Sequence, residues 1–164
     1  MLPHLDAAYT LARHLTRDPI DAQDVVQDAY LRALKYFGGF HGTDVGEGRG
    51  WLLAIVRNTA YSWHRRRRPE ANATEFDESL HSGGVADSHP EAAMLGRARR
   101  ESLTREIDRL APEYRETIVL REIQGFSYKE IADITGVPVG TVMSRLSRAR
   151  HRLQQALHAE RDEE

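Results

Sequence analysis

The sequence predicts an all-α fold of two small helical domains joined by a flexible acidic linker, and three observations carry that expectation. Every periodic segment repeats its apolar residues at helical spacing, and no run alternates apolar and polar residues over strand lengths. From Pro69 to about Ser88 the chain is polar and acidic, with Gly83-Gly84 and no sustained period, so 69–88 reads as the linker. Between Ser127 and Leu153 it spells a short helix, a tight turn and a basic second helix.

The first domain, 1–68, holds three helices. One runs from about Pro3 to Thr16 on Leu5, Tyr9, Ala12 and Leu15 and ends at Asp18-Pro19. A second opens at Asp21 and buries Val25, Val26, Ala29, Ala33, Leu34 and Phe37 before Gly38-Gly39 stops it. A loop rich in Gly and His then leads from Phe40 to Gly50, and a third helix runs from Trp51 to Arg68.

The second domain, 89–159, starts at a capping box, Ser88-His89-Pro90-Glu91, with proline tolerated in the first turn. Leu103, Ile107 and Leu110 mark one helix, and Tyr114, Ile118 and Ile123 another. Next comes the helix-turn-helix, which completes a compact four-helix unit. Ser127 and Glu130 form a second capping box, Ile131, Ala132 and Ile134 face inward, and Gly136 can take the left-handed conformation that ends a helix. Val137 and Pro138 turn the chain. In the last helix Val142, Leu146, Ala149 and Leu153 recur at spacings of three and four, which leaves Thr141, Ser144, Arg145 and Arg148 outward. An acidic tail, 160–164, follows.

Charge is segregated along the chain. Residues 1–68 carry ten Arg and Lys against seven Asp and Glu, 69–96 none against six, and 97–159 twelve against eight. Two basic blocks therefore flank an acidic strip, a pattern for two separate DNA contacts with something other than duplex between them. No acidic residue occurs from Ile134 to Ala159, where Arg145, Arg148, Arg150 and Arg152 lie, and such a run attracts a phosphate backbone. Hydrogen-bonding side chains near the start of the second helix are placed to read base edges in the major groove. Fully extended, the linker could span roughly 65 Å at ~3.3 Å per residue, nearly two duplex turns of ~34 Å.

Composition excludes other classes. No stretch approaches the ~18 to 20 consecutive apolar residues of a membrane span, and Met-Leu-Pro-His-Leu-Asp lacks the regions of a secretory signal, so a cytoplasmic location is expected. With no cysteine there is no disulfide, thiolate catalysis or Cys-ligated zinc. The eight histidines have no partner carboxylate at helical ligand spacing, and no nucleophile-base pair, P-loop or glycine-rich fingerprint occurs. Neither metal, cofactor, small-molecule substrate nor enzymatic activity is expected.

Two surfaces of the first domain carry information. The third helix mixes Trp51, Tyr61 and Trp63 with Arg57, Asn58, His64 and the run Arg65 to Arg68. That mixture suits single-stranded DNA, since aromatics stack on unpaired bases for ~1 to 3 kcal/mol each while Arg holds the backbone. Trp51 shares a helical face with Ile55 and is expected in the core. On the second helix Asp21, Asp24 and Asp28 share an outward side with Gln27, Leu31 and Arg32 nearby, a face that would repel DNA and fits a protein partner.

Four segments together resemble the extracytoplasmic-function subfamily of sigma-70 sigma factors: Asp21-Ala-Gln-Asp-Val-Val-Gln-Asp-Ala-Tyr-Leu-Arg-Ala, Trp51-Leu-Leu-Ala-Ile-Val-Arg-Asn-Thr-Ala, Leu110-Ala-Pro-Glu-Tyr-Arg-Glu-Thr-Ile-Val-Leu-Arg-Glu, and Gly125-Phe-Ser-Tyr-Lys-Glu-Ile-Ala through Arg150. The resemblance covers nearly all of the chain except linker and tail. It implies a promoter-specific initiation factor without catalysis of its own, made of the sigma domains σ2 and σ4. Asp24, Val25, Gln27, Asp28 and Leu31 look like the σ2 segment that binds the β′ clamp helices of core RNA polymerase. The loop from Phe40 and the helix from Trp51 resemble the part that melts the −10 element, with Arg57, Asn58 and Tyr61, joined by His64 and Arg65, as contacts. Thr141, Met143, Ser144, Arg145, Ser147 and Arg148 correspond to the helix that reads the −35 element, and the helices before it offer a surface to the β flap. The family also implies an anti-sigma factor that holds σ2 and σ4 together. Two other functions share part of these features: a free-standing helix-turn-helix regulator, and an interaction module that sequesters polymerase.

Overall fold

The computed structural model describes residues 4–39, 45–71 and 90–163. They form helices α1 (Leu5–Thr16), α2 (Pro19–Tyr36), α3 (Val45–Ala71), α4 (Pro90–Arg109), α5 (Pro112–Ile118), α6 (Tyr128–Thr135) and α7 (Val139–Asp162), with a 3-10 turn at Phe37–Gly39 and a π-helical turn at Val119–Ile123. The protein is all-α, and no strand occurs among the described residues.

Helix boundaries follow from local chemistry. Arg17 ends α1 in the left-handed region at φ 59°, its amide donating to the Arg13 carbonyl at 2.9 Å. The Asp18 carboxylate then accepts from the amides of Ile20 (2.8 Å) and Asp21 (3.0 Å), with Pro19 in the first turn. Asp18 is thus the N-cap, and α2 begins two residues before the expected Asp21. The third helix starts at Val45 rather than Trp51, despite three glycines among residues 46–50 that disfavour helix. Tertiary contact outweighs propensity there: Arg49 donates to the carbonyl (2.6 Å) and side-chain oxygen (2.9 Å) of Gln124 and stacks 4.3 Å from the Phe126 ring centroid. At its far end α3 continues through Pro69 to Ala71, into the expected linker. Residues 72–89, including Ser88 of the expected capping box, and residues 1–3 and 40–44 lie outside the described residues.

Helices α1, α2 and α3 pack on one another through Ala8, Leu11, Ala12 and Leu15, through Ala22, Val25, Val26, Ala29 and Ala33, and through Leu52, Leu53, Val56 and Ala60. Three residues expected in this core are outside it: Leu5 is 44% exposed, Leu34 64% and Phe37 55%. At 100° per residue the α2 stripe centres on Ala22, Ala29 and Ala33, which turns Leu34 well away from it, and Phe37 falls in the 3-10 turn beyond the helix end.

The second unit closes α4 to α7 around Ile107, Leu110, Ile118, Val119, Leu120, Phe126, Ile131, Ile134, Val142, Leu146, Ala149 and Leu153. Ile123, expected inside, is 48% exposed, and Leu103 is 39% exposed. In the π turn Gln124 N–H reaches back to the Val119 carbonyl at 2.9 Å, an extra residue that rotates Ile123 outward. Gly125, at φ 76°, reverses the chain so that Phe126 fills the core instead. Helix α7 runs through Glu160 to Asp162, past the expected start of the tail, and Ser102 on α4 donates to the Glu160 carboxylate.

The two units do not stand apart. Their buried apolar residues form one contiguous cluster, with α1 packed on α5 and α3 on α6. Polar bonds cross the junction: His14 Nδ1 lies 3.2 Å from Asp108 Oδ1, Gln124 donates to the Ala7 carbonyl at 3.2 Å, and Arg115 donates to the carbonyls of His14 and Leu15. The surfaces expected to be separate are therefore held in one closed body.

Candidate functional site

The helix-turn-helix is built by its own short-range bonds. Ser127 Oγ accepts from the Glu130 amide (3.1 Å) while the Glu130 carboxylate accepts from the Ser127 amide (3.0 Å), a complete capping box. Gly136, at φ 72°, ends α6 with its amide on the Ala132 carbonyl at 2.8 Å. Val142, Leu146, Ala149 and Leu153 face inward as expected. Of the residues expected to read duplex, Met143, Ser144, Ser147 and Arg148 are exposed, and Thr141 and Arg145 are half-buried.

The four arginines between Arg145 and Arg152 of α7 are not equivalent. Arg150 donates to the Glu122 carboxylate at 2.8 Å, and that hydrogen bond holds its pKa above the ordinary value. The Arg152 guanidinium lies 4.7 Å from the Tyr114 ring centroid. Both tie α7 to its own unit; of the two arginines expected to read duplex, Arg148 is exposed and Arg145 half-buried.

On α3 the expected single-strand contacts divide into two sets. Asn58, His64 and Arg65 are exposed. His64 Nε2 sits 2.6 Å from the Leu15 carbonyl, which as an acceptor requires that nitrogen to donate. Arg57 and Tyr61 instead turn toward the second unit. Arg57 Nε and Nη2 donate to the two carboxylate oxygens of Glu116 at 2.7 and 3.2 Å, and its guanidinium stacks 4.5 Å from the Tyr61 ring centroid. Burial pushes the Glu116 carboxyl up, against the opposing pull of Arg57. Burial also raises the Tyr61 hydroxyl, with Glu116 adding to it. Nothing local in the sequence marked Glu116, because its partner lies 59 residues away.

The outward face of α2 presents Asp24, Gln27 and Leu31 in the open, with Asp28 half-buried and bridged to Arg32 at 3.4 Å. Val25, expected with them, is fully buried and supports the helix from beneath. The same face adds Ile20 and Leu34, both exposed, with Tyr36 and Phe37 exposed at its end. Of these, Leu34 and Phe37 were expected in the core. Among the described residues no group of three or more His, Cys, Asp or Glu is placed to hold a metal, and no helix is long and apolar enough to cross a membrane.

A helix-turn-helix unit with a cationic reading helix, packed on a three-helix unit with an aromatic-basic helix and an acidic-apolar face, defines the class as a two-part DNA-binding transcription protein. The Sigma-70 region 2 family matches residues 2–70, and the Sigma-70, region 4 family matches residues 100–153. The chain is 39% identical over 136 residues to the ECF RNA polymerase sigma-E factor of Escherichia coli, spanning 79% of this chain and 70% of that protein. It is 36% identical over 146 residues to the RNA polymerase sigma-H factor of Pseudomonas aeruginosa, spanning 85% and 75%. Among solved structures it is similar to the sigma factor RpoE in complex with the anti-sigma factor NepR from Bartonella quintana, with a TM-score of 0.77, 31% identity and coverage of 96% of this chain and 93% of that one. It is also similar to CnrH in complex with the cytosolic domain of CnrY, with a TM-score of 0.66, 28% identity and coverage of 96% and 84%. The chain belongs to the extracytoplasmic-function (ECF) sigma factors of the sigma-70 family.

Proposed function

We propose that this chain directs core RNA polymerase to a set of promoters, with division of labour among its three surfaces. Asp24, Gln27, Asp28 and Leu31 on α2 dock on the β′ clamp helices, with Ile20 and Leu34 extending the face, and the helices before α7 meet the β flap. Thr141, Met143, Ser144, Arg145, Ser147 and Arg148 read −35 duplex. Asn58, His64 and Arg65, and Arg57 and Tyr61 once released, hold the melted −10 strand. The functional units are 1–68 and 89–159, joined through 69–88, and the protein works in the cytoplasm. It supplies recognition, and the polymerase makes the RNA.

The observation that carries this reading is the joint presence, in one chain, of a capped helix-turn-helix with Arg145 and Arg148 on its reading side and an α2 face too acidic for DNA and too apolar for water. An anti-sigma factor is the expected regulator. RpoE and CnrH were each solved with such a partner bound or with a partner's cytosolic domain, and the closed packing of the two units suits a partner that covers both.

Run-off transcription with purified core enzyme tests the proposal. Promoter-specific transcripts that depend on adding this chain are expected. Promoter-independent transcription alone, on templates from its own genome, would overturn it.

A further inference from the structure

Glu116 stands on α5 with no exposed surface, a placement that is costly for a carboxylate unless it is paired and hydrogen-bonded. Both of its oxygens are taken side-on by Arg57 of α3, at 2.7 and 3.2 Å. Tyr61, one turn along α3, lies under the same Arg57 guanidinium at 4.5 Å, and Arg145 of the reading helix adds its charge. Three residues assigned to DNA, two from one unit and one from the other, thus converge on one buried acid whose own helix has no DNA role. To a guanidinium fork, a carboxylate offers the same planar pair of anionic acceptors as a phosphodiester. Other bonds across the junction, such as Gln124 to Ala7 and Arg115 to His14, use residues outside the DNA surfaces.

We propose that Glu116 is an intramolecular latch that stands in for phosphate: it holds the region 4 unit closed on the region 2 unit through Arg57, and must surrender Arg57 before single-stranded DNA can engage α3. This rests on the assignment of Arg57 to the −10 strand. Energetics suit a reversible catch. Desolvation of the acid offsets much of its attraction to Arg57, so the pair specifies the closed state without locking it. DNA then opens the chain only to the extent that it binds the open form better.

The chain has no cysteine, so Gln23→Cys and Gln155→Cys, both at exposed positions on opposite units, admit one dye pair for energy transfer in the full-length protein. Glu116→Gln, which keeps the shape and removes the charge, is expected to lower transfer and to tighten binding of a short fluorescent single-stranded oligonucleotide of mixed sequence. The gain is roughly tenfold if nine-tenths of the population is closed. Arg57→Gln is expected to lower transfer in the same way but to weaken oligonucleotide binding. Saturating oligonucleotide should open the unsubstituted labelled chain, a readout that needs no variant to fold. Unchanged transfer in variants that circular dichroism reports as folded, or in the unsubstituted chain at saturation, overturns the latch. Should Arg57→Gln leave oligonucleotide affinity unchanged in the opened Glu116→Gln background, the −10 assignment of Arg57 fails, while transfer still judges the closure.

Discussion

The guanidinium of Arg115, only 4% exposed, donates to the carbonyl oxygen of His14 at 3.0 Å across 101 residues of sequence. It also reaches the carbonyls of Leu15 at 3.3 Å and Leu110 at 3.0 Å. His14 and Leu15 lie in the last turn of α1, whose carbonyls have no partner within the helix, so an arginine from the other unit caps α1. Burial, and then the charge of Arg17, lower its pKa, which marks how far it has left water.

Arg115→Met removes those donors and leaves buried carbonyls unpaired, at ~1 to 3 kcal/mol each. A loss of roughly 3 kcal/mol is expected, a fall in Tm of roughly 6 to 12 °C for a chain of this size. Arg115→Lys recovers little, because one ammonium cannot reproduce the planar fork. Thermal melts followed by circular dichroism check this, and a shift within about 2 °C for the Met variant would mean that solvent replaces the bonds.

At the reading helix, Arg148→Ala and Arg145→Ala separate specificity from positioning. Loss of a base-reading side chain costs ~1 to 3 kcal/mol of discrimination at one base pair, whereas loss of a phosphate contact weakens all sequences alike and lowers the salt slope by about one. Arg148, exposed on α7, is expected to affect binding directly. Arg145, half-buried with Glu116 nearby, is expected to act also through the packing of α7 on α5. Binding isotherms at several salt concentrations distinguish them. Unchanged promoter binding in the double variant would remove α7 from the reading role.

How legible each part was depends on how far its causes lie along the chain. The helix-turn-helix was readable because the Ser127–Glu130 box, Gly136 and the Val142–Leu153 stripe act within a few residues of one another. The start of α3 was not, since the glycines before Trp51 argue against helix and the anchor at Arg49 is supplied by Gln124 and Phe126. Val25 and Leu34 were hard to tell apart for a different reason. Both are apolar, and only the phase of the Ala22–Ala33 stripe shows which one the neighbouring helices cover. The Arg57–Glu116 pair depends on how two separately readable units dock, and no local pattern encodes that.

The phase of α2 is itself testable. Leu31 is 63% exposed, so Leu31→Ala and Leu34→Ala are expected to leave Tm within about 2 °C and to weaken binding to core polymerase by about 1 to 2 kcal/mol, roughly 5- to 30-fold. Val25→Ala should do the reverse, costing roughly 2 kcal/mol of stability through the cavity it leaves while affinity of the folded fraction stays near its starting value. Anisotropy titration of labelled chain with core enzyme, paired with melts, decides. Equal loss of affinity from all three would show that the face is read through the fold of α2 and not through its exposed side chains.

Tyr61 makes the closed junction sensitive to alkali, and the sign follows from burial. Its hydroxyl is raised from 10.0, first by burial and then by Glu116, so the folded chain favours the neutral phenol more than the unfolded chain does. The resulting stability is fully present below pH 10 and drains away as pH rises past it, because the unfolded state then releases a proton that the folded state retains. Absorbance at 295 nm should show Tyr61 lagging the ordinary tyrosines, with Tyr30, raised by burial alone, lagging as well. Tyr61→Phe should remove one late-titrating group and flatten the loss of stability above pH 10. If every tyrosine of the folded chain ionised together near pH 10, Tyr61 would have to be open to water, and its place between Arg57 and Glu116 would be wrong.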